Sequence, residues 1–341
     1  RHYAGYDPLF TWWAAAPFAK ADSALTRYRQ LLREKIVGVK PGEDDPIVGD
    51  PLGRDALVRD IAFEMIPYSP EELIAIGERE LAWCEAEMKQ AARAMGLGDD
   101  WHAAIERVKT AHVEPGAQPL LVKRLADEAA DWVTTRNLVT VPPLARDDWR
   151  VIMLSPEAQK VNPFFLGGDN IYVAYPTDAM ADSDKRMALR GNNIYFSRAT
   201  VHHELIPGHH LQAFYQARYQ PHRNTFSTPF WTEGWSVYWE MRLYDAGFAR
   251  TPEEKVGMLF WRMHRAARII FSLRFHLGQM TPEQAIDFLV AKVGHERANA
   301  TAEVRRSFNG SYPPLYQAGY MLGALQLRAL RAEVVGKGKL T

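Results

Sequence analysis

VHHELIPGHHLQ, residues 201–212, decides how the rest of the chain is read. Four histidines, one glutamate and a Pro-Gly pair fall within these twelve positions. A shared zinc ion needs two imidazole nitrogens ~2.0–2.1 Å from it. On a straight helix, residues four apart meet that need because they lie one turn apart on one face. Four residues after His203 stands Pro207, not a histidine. His203 and His209 would lie ~240° apart around an ideal helix. His202 and His209 share a face but would be ~10.5 Å apart along the axis. Either no metal binds here, or the helix breaks between the histidines. Pro207 has no N–H to give to the His203 carbonyl, and its ring crowds that carbonyl. Gly208 then permits backbone angles that other residues avoid. A two-residue break would bring His209, or its neighbour His210, back beside His203.

Downstream lies FWTEGWSVYWEMR, residues 230–242. Glu233 would supply a third ligand from the following helix, leaving one position open as in catalytic zinc sites. Glu240, seven residues on, lies on the same helical face. Both carboxylates sit among Trp231, Trp235, Tyr238 and Trp239, where a charge is costly unless bound or paired. His202, His210 and Glu240 are further candidates, as ligands or as partners behind the ligands. Glu204, next to His203, fits the general base of a metal-activated water; a solvated first-turn glutamate is the plainer reading.

Around this segment the chain reads helical. SPEELIAIGERELAWCEAEMKQAARAM (69–95) has apolar residues at three-to-four spacing, with Ser69 as N-cap, Pro70 at the first helical position and Glu72 completing a capping box. The pattern recurs over 55–65, 101–113 and 120–138, and from residue 230 to 335. Residues 139–197 differ: VTVPPL, WRVIMLS, NIYVAYP and GNNIYFS are rich in β-branched and aromatic residues and predict short strands. NIYVAYP (170–176) would suit either an edge strand that receives an extended peptide or a buried one. The expected fold is therefore mainly α, one domain over 1–341 with a small β insertion over 139–197.

Lys+Arg and Asp+Glu are equal at 41 each, which gives no long-range pull on nucleic acid or anionic membrane. The single cysteine, Cys84, excludes an internal disulfide and a cysteine-based zinc site, and its helical setting suits a buried thiol. No apolar run reaches the ~20 residues of a membrane span; LFTWWAAAPFA (9–19) is read as helix. The missing initial Met and the basic ending VVGKGKLT suggest a chain shortened at one or both ends. The compartment stays open between cytoplasm and periplasm or exterior, and the oligomeric state is unspecified.

The pattern His-Glu-x-x-Pro-Gly-His-His-Leu-Gln, followed by Glu-Gly-Trp-x-x-Tyr, resembles the bacterial family known as Domain of Unknown Function 885. That family is distantly similar to the zinc-peptidase clan of thimet oligopeptidase, angiotensin-converting enzyme and thermostable carboxypeptidases. The resemblance, carried from about residue 60 to 335, implies a gluzincin-like helical fold with a substrate channel and a short sheet at its wall. It implies one zinc ion, or another divalent metal, on His203, His209 and Glu233, with Glu204 as base. PPLYQAGYMLG (313–323) is similar to the clan's tyrosine segment, which makes Tyr316 and Tyr320 candidate oxyanion donors; packing on one helix face is the alternative. Arg305, Arg306 and Arg328 flank that segment, and one of them could pair with a substrate carboxylate. The implied activity is hydrolysis of amide bonds in small peptides. A non-haem iron enzyme would use the same two-histidine, one-carboxylate set, and a non-catalytic peptide-binding protein would use the channel alone.

Overall fold

The computed structural model describes residues 2–43, 45–159 and 162–338. The chain gathers into two compact units, Arg1–Val48 and Gly49–Thr341, where sequence patterning drew one domain over 1–341. In the first unit, helix α1 (Ala15–Leu31) is flanked by π-helical turns at Phe10–Ala14 and Leu32–Val37. LFTWWAAAPFA is helical as read, with Trp12 and Trp13 exposed.

The second unit opens with α2 (Arg54–Phe63) and α3 (Pro70–Ala94). The α3 start is set locally. Ser69 Oγ accepts from the Glu72 N–H at 3.2 Å, and the Glu72 carboxylate accepts from the Ser69 N–H at 2.7 Å. Both orphan donors of the first turn are thereby satisfied. Next come α4 (Trp101–Lys109) and α5 (Gln118–Thr135). The stretch expected to be a β insertion is mostly something else. Short helices α6 (Pro143–Asp147) and α7 (Pro156–Gln159) alternate with two three-residue strands, β1 (Val151–Met153) and β2 (Ile171–Val173). The strands pair in parallel, Val151 opposite Ile171 and Met153 opposite Val173. The other side of β2 is bridged to Leu166 through Tyr172. β2 is thus occupied on both sides and is not a free edge for a peptide. VTVPPL is no strand, since its prolines open α6, and GNNIYFS runs into a helix.

From there the unit is helical: α8 (Asp182–Gly191), α9 (Ile194–Glu204), α10 (His209–Tyr219), α11 (Pro229–Asp245) and α12 (Pro252–His276). α13 (Pro282–Val293), α14 (Arg297–Phe308) and α15 (Tyr316–Val334) complete it. The protein is 66% helix, so the mainly α expectation holds. α12 is the axis, buried from Val256 almost without interruption to His276 and packed by α3, α9, α13 and α15. One apolar core joins α2, α3, α11, α12 and α15 through Leu57, Leu73, Val237, Ile269 and Met321. A second seats β2 on α5 and α9 through Ile171, Val173, Val122 and Val201. The little sheet therefore braces the helix that carries the histidine motif.

Candidate functional site

The helix breaks where the sequence supplies the break. α9 stops at Glu204, Leu205–Gly208 leave helical geometry, and α10 restarts at His209. The Ile206–Pro207 peptide is cis. Gly208 donates its N–H to the His202 carbonyl at 3.0 Å, and Trp235 Nε1 on α11 donates to the Pro207 carbonyl at 2.9 Å. A Cβ on Gly208 would stand 1.8 Å from the His203 carbonyl oxygen, so the turn requires glycine for close approach.

The turn brings His209 back to His203, their ring centres 4.8 Å apart and their planes perpendicular. Glu233 on α11 completes a triangle: its Oε2 lies 3.1 Å from His209 Nε2 and 3.6 Å from His203 Nε2. Ligands held ~2.0–2.1 Å from one tetrahedral zinc are roughly 3.3 Å apart. The two distances bracket that edge, so Glu233 stands at ligand spacing from each histidine, and the donor set suits a small divalent ion in its chemistry. Glu204 also reaches the cluster, with ligand atoms of His203, Glu204 and His209 all within 4.8 Å of one another. Two carboxylates therefore compete for the third ligand place, and their environments separate them. Burial would raise Glu233, but the His209 charge and hydrogen bonds from His203 and His209 hold it well below the usual range. Tyr316 donates its hydroxyl to the other Glu233 oxygen at 2.5 Å. Burial raises Glu204, and the charges of His203 and His209 offset this only in part. The two carboxyls are thus shifted in opposite directions, Glu233 down and Glu204 up.

Behind His203 sits Glu240, whose Oε1 is 2.6 Å from Nδ1 and also accepts from Arg265 Nη2 at 3.0 Å. Glu240 is thus a partner of the imidazole, on the side away from the triangle, of the kind that orients metal-binding histidines. Burial would lower His203, and the Arg265 charge adds to that. The Glu204 charge and the hydrogen bonds to Glu233 and Glu240 outweigh both and raise it to about 9. His210 does not join the cluster; its Nε2 is 2.7 Å from the Ala145 carbonyl. Nor does His202, which is fully buried with its ring 5.7 Å from that of Phe248 and which burial lowers to about 3.

The cluster opens on a cavity of about 370 Å³. Tyr316 and Tyr320 line it together with His203, Glu204, His209 and Glu233. The Tyr320 ring lies nearly parallel to that of His203, with centres 6.3 Å apart. Gly167, just before β2, forms part of the wall, and a Cβ there would come within 2.2 Å of Glu204 Oε2. Arg305 and Arg328 do not line the cavity. Arg328 is exposed and pairs with Asp245 at 3.1 Å. The arginines that do line it are Arg265, Arg268 and Arg306. Sequence patterning missed the first two, although Arg262, Arg265 and Arg268 recur at every third position within the mostly apolar middle of α12, a readable oddity.

A mainly helical protein with a buried His/Glu cluster at the base of a cavity is the class that fold and site define. The sequence matches the family described as bacterial protein of unknown function (DUF885) over residues 11–339, and the chain belongs to that family. A candidate lipoprotein of unknown function from Shewanella oneidensis has a similar fold, with TM-score 0.74 and 21% identity over 95% of this chain. Another from Colwellia psychrerythraea gives TM-score 0.70 and 20% identity over 93% of this chain. The chain spans 61% and 54% of the lengths of those two. No curated protein matches the sequence.

Proposed function

We propose that this chain is a metal-dependent hydrolase, with zinc as the ion, that cleaves amide bonds in small peptides. The observation that carries the reading is the triangle of His203, His209 and Glu233, spaced like ligands of one tetrahedral ion and backed by Glu240. An ion held there would supply a water of lowered pKa and polarise a substrate carbonyl. The protein does the rest. Glu204, at the cavity wall with its pKa raised by burial, accepts a proton from the attacking water and returns it to the leaving amine. Tyr316 and Tyr320 are kept protonated, each raised mainly by burial; the Tyr320 O–H is the donor open to an oxyanion, and Tyr316 would have to turn from Glu233, to which it donates at 2.5 Å, to serve as a second. A donor aimed at the developing oxyanion contributes ~3 kcal/mol. The distant relation to the zinc-peptidase clan belongs to this same reading. The lipoprotein descriptions of the two fold relatives support an exported rather than a cytoplasmic protein.

The same donors would suit non-haem iron, but a carboxyl in the base position favours hydrolysis. Glu204→Gln tests the reading directly. The variant is expected to keep wild-type metal content by elemental analysis and to lose about 10²–10⁴-fold in peptide turnover. Unchanged turnover in the metal-replete variant sinks the mechanism, and iron in anaerobically purified protein would redirect it.

A further inference from the structure

A second cavity, of about 420 Å³, lies along α10 and α11 beside the one that holds the His/Glu cluster. The two share Gln212 and Gln216, which stand one turn apart on α10 as a ridge. His209 and Ala213 face the cluster from one side of that ridge, and Leu211 and Tyr215 face the second cavity from the other. α11 divides in the same way: Thr232 and Glu233 line the first cavity, Trp231 and Trp235 the second. The ridge is fastened to α11. Gln212 Nε2 donates to the Trp231 carbonyl at 3.1 Å, and Trp231 Nε1 donates to Gln216 Oε1 at 2.6 Å.

The lining identifies the occupant. Each of its three partly buried aromatic rings has its polar atom bonded within the protein. Tyr215 gives its hydroxyl to the Thr140 carbonyl at 3.0 Å, Trp235 its N–H to the Pro207 carbonyl, and Trp231 its N–H to Gln216. The rings are left to present apolar faces, beside the aliphatic Leu211 and Val139. Among the described residues the one charged lining group is Arg223, whose guanidinium carbon lies 4.5 Å from the centre of the Trp231 ring. An apolar, aromatic-walled cavity of this size suits a bulky apolar group. Position adds a distance. Gln216 is seven residues beyond His209, ~10.5 Å along the helix. An extended chain covers that length in about three residues, at ~3.3–3.6 Å each.

We propose that the second cavity receives an aromatic or large aliphatic side chain of a peptide, carried about three residues from the amide bond at the His/Glu cluster. Its part in substrate choice rests on the hydrolase reading above, whereas its affinity for an apolar side chain does not.

Titration of the metal-free protein with acetyl-Trp-amide and with acetyl-Ala-amide, followed by ligand-detected NMR, tests the cavity alone. The Trp probe is expected to bind at least about tenfold more tightly, and Val139→Trp, which fills the cavity, should bring the ratio near one. Equal binding by wild type, binding of neither, or an undiminished ratio in a folded Val139→Trp overturns the proposal. Should that variant lose its cooperative melt, Tyr219→Ala replaces it, at an exposed position of the same wall. The ratio should then fall about threefold, and an undiminished ratio again overturns the proposal. Zinc-loaded protein is next given end-blocked Ala-Ser peptides with one Trp at successive positions, and products are mapped by mass spectrometry. Cuts that follow the Trp at a constant spacing of about three residues support both readings. Cuts indifferent to the Trp overturn the role in substrate choice. Preferential binding of the Trp probe with no cleavage of any peptide leaves the apolar site standing and removes the hydrolase.

Discussion

Glu240 and Arg265 together fix how His203 points. The carboxylate takes His203 Nδ1 at 2.6 Å and the Arg265 guanidinium at 3.0 Å through the same oxygen, which leaves Nε2 to face Glu233. Glu240→Gln keeps the shape but removes the charge that orients the imidazole and raises its basicity. Zinc affinity, measured by competition with a chromogenic chelator, is expected to fall about 10–100-fold. Unchanged affinity would mean the triangle holds its geometry without support. The meeting of His203, His209 and Glu233 was legible because its signals are local: a His-Glu pair, a Pro-Gly break and a Glu on the next helix. The choice of His209 over His210 was not, because the exit angle of the break is held by the distant Trp235 indole and by the Ala145 carbonyl. The arginines were misjudged for a related reason. Nearness in sequence to Tyr316 is a poor guide to facing: Arg328 turns outward to Asp245, Arg306 lines the cavity, and Arg265 and Arg268 reach it from α12.

At the scale of elements, the site depends on how closely α11 and α15 approach. α11 carries Glu233, and α15 carries Tyr316 and Tyr320. They meet at two glycines: a Cβ on Gly323 would lie 2.0 Å from the Phe230 carbonyl oxygen and 2.9 Å from Gly234 Cα. Gly323→Ala must push the helices apart. Overpacking of this kind costs about 1–3 kcal/mol or more, to be read from urea denaturation. Because Tyr316 is tied to Glu233 across this crossing, metal affinity should fall in parallel. A fall in stability alone would separate the crossing from the site. Helices such as α3 were readable from caps and period, but the strands were overcalled. β-propensity reports fit to a half-buried surface more than backbone preference. IYFS belongs to α9 because Asn193 caps it, its Oδ1 accepting from the N–H groups of Tyr195 and Phe196 at 3.0 Å each. That cap was present in the sequence and outweighs the β-branched and aromatic content.

For the whole molecule, the polar groups buried along α12 tie stability to pH. His295 is lowered from the ordinary 6.5 to about 3, chiefly by burial against the Glu303 charge that opposes it, and His264 is held well below 6.5, again chiefly by burial. A base lowered in the folded state contributes stability above 6.5 that is lost as pH falls toward its folded value. Glu303 is lowered from 4.5 to about 2; burial opposes the shift, and the Arg268 and Arg306 charges prevail. Its contribution is complete above 4.5 and is lost on descent toward 2. His203 has the opposite sign: raised to about 9 in the metal-free protein, it is already protonated in both states below 6.5 and adds no slope there. Glu204, raised by burial, holds its proton in the folded state and opposes this trend, but His264, His295 and Glu303 together leave the unfolded chain binding more protons as pH falls. The metal-free protein is expected to lose stability from about pH 6.5 downward, by roughly 1.4 kcal/mol per pH unit for each proton taken up. Urea titrations at pH 7, 6, 5 and 4 measure the slope. His295→Gln, which removes one of the protons taken up, should flatten it between pH 6.5 and 4.5. A slope that is the same in the variant, or no slope at all in wild type, would mean that these imidazoles reach solvent in the folded protein.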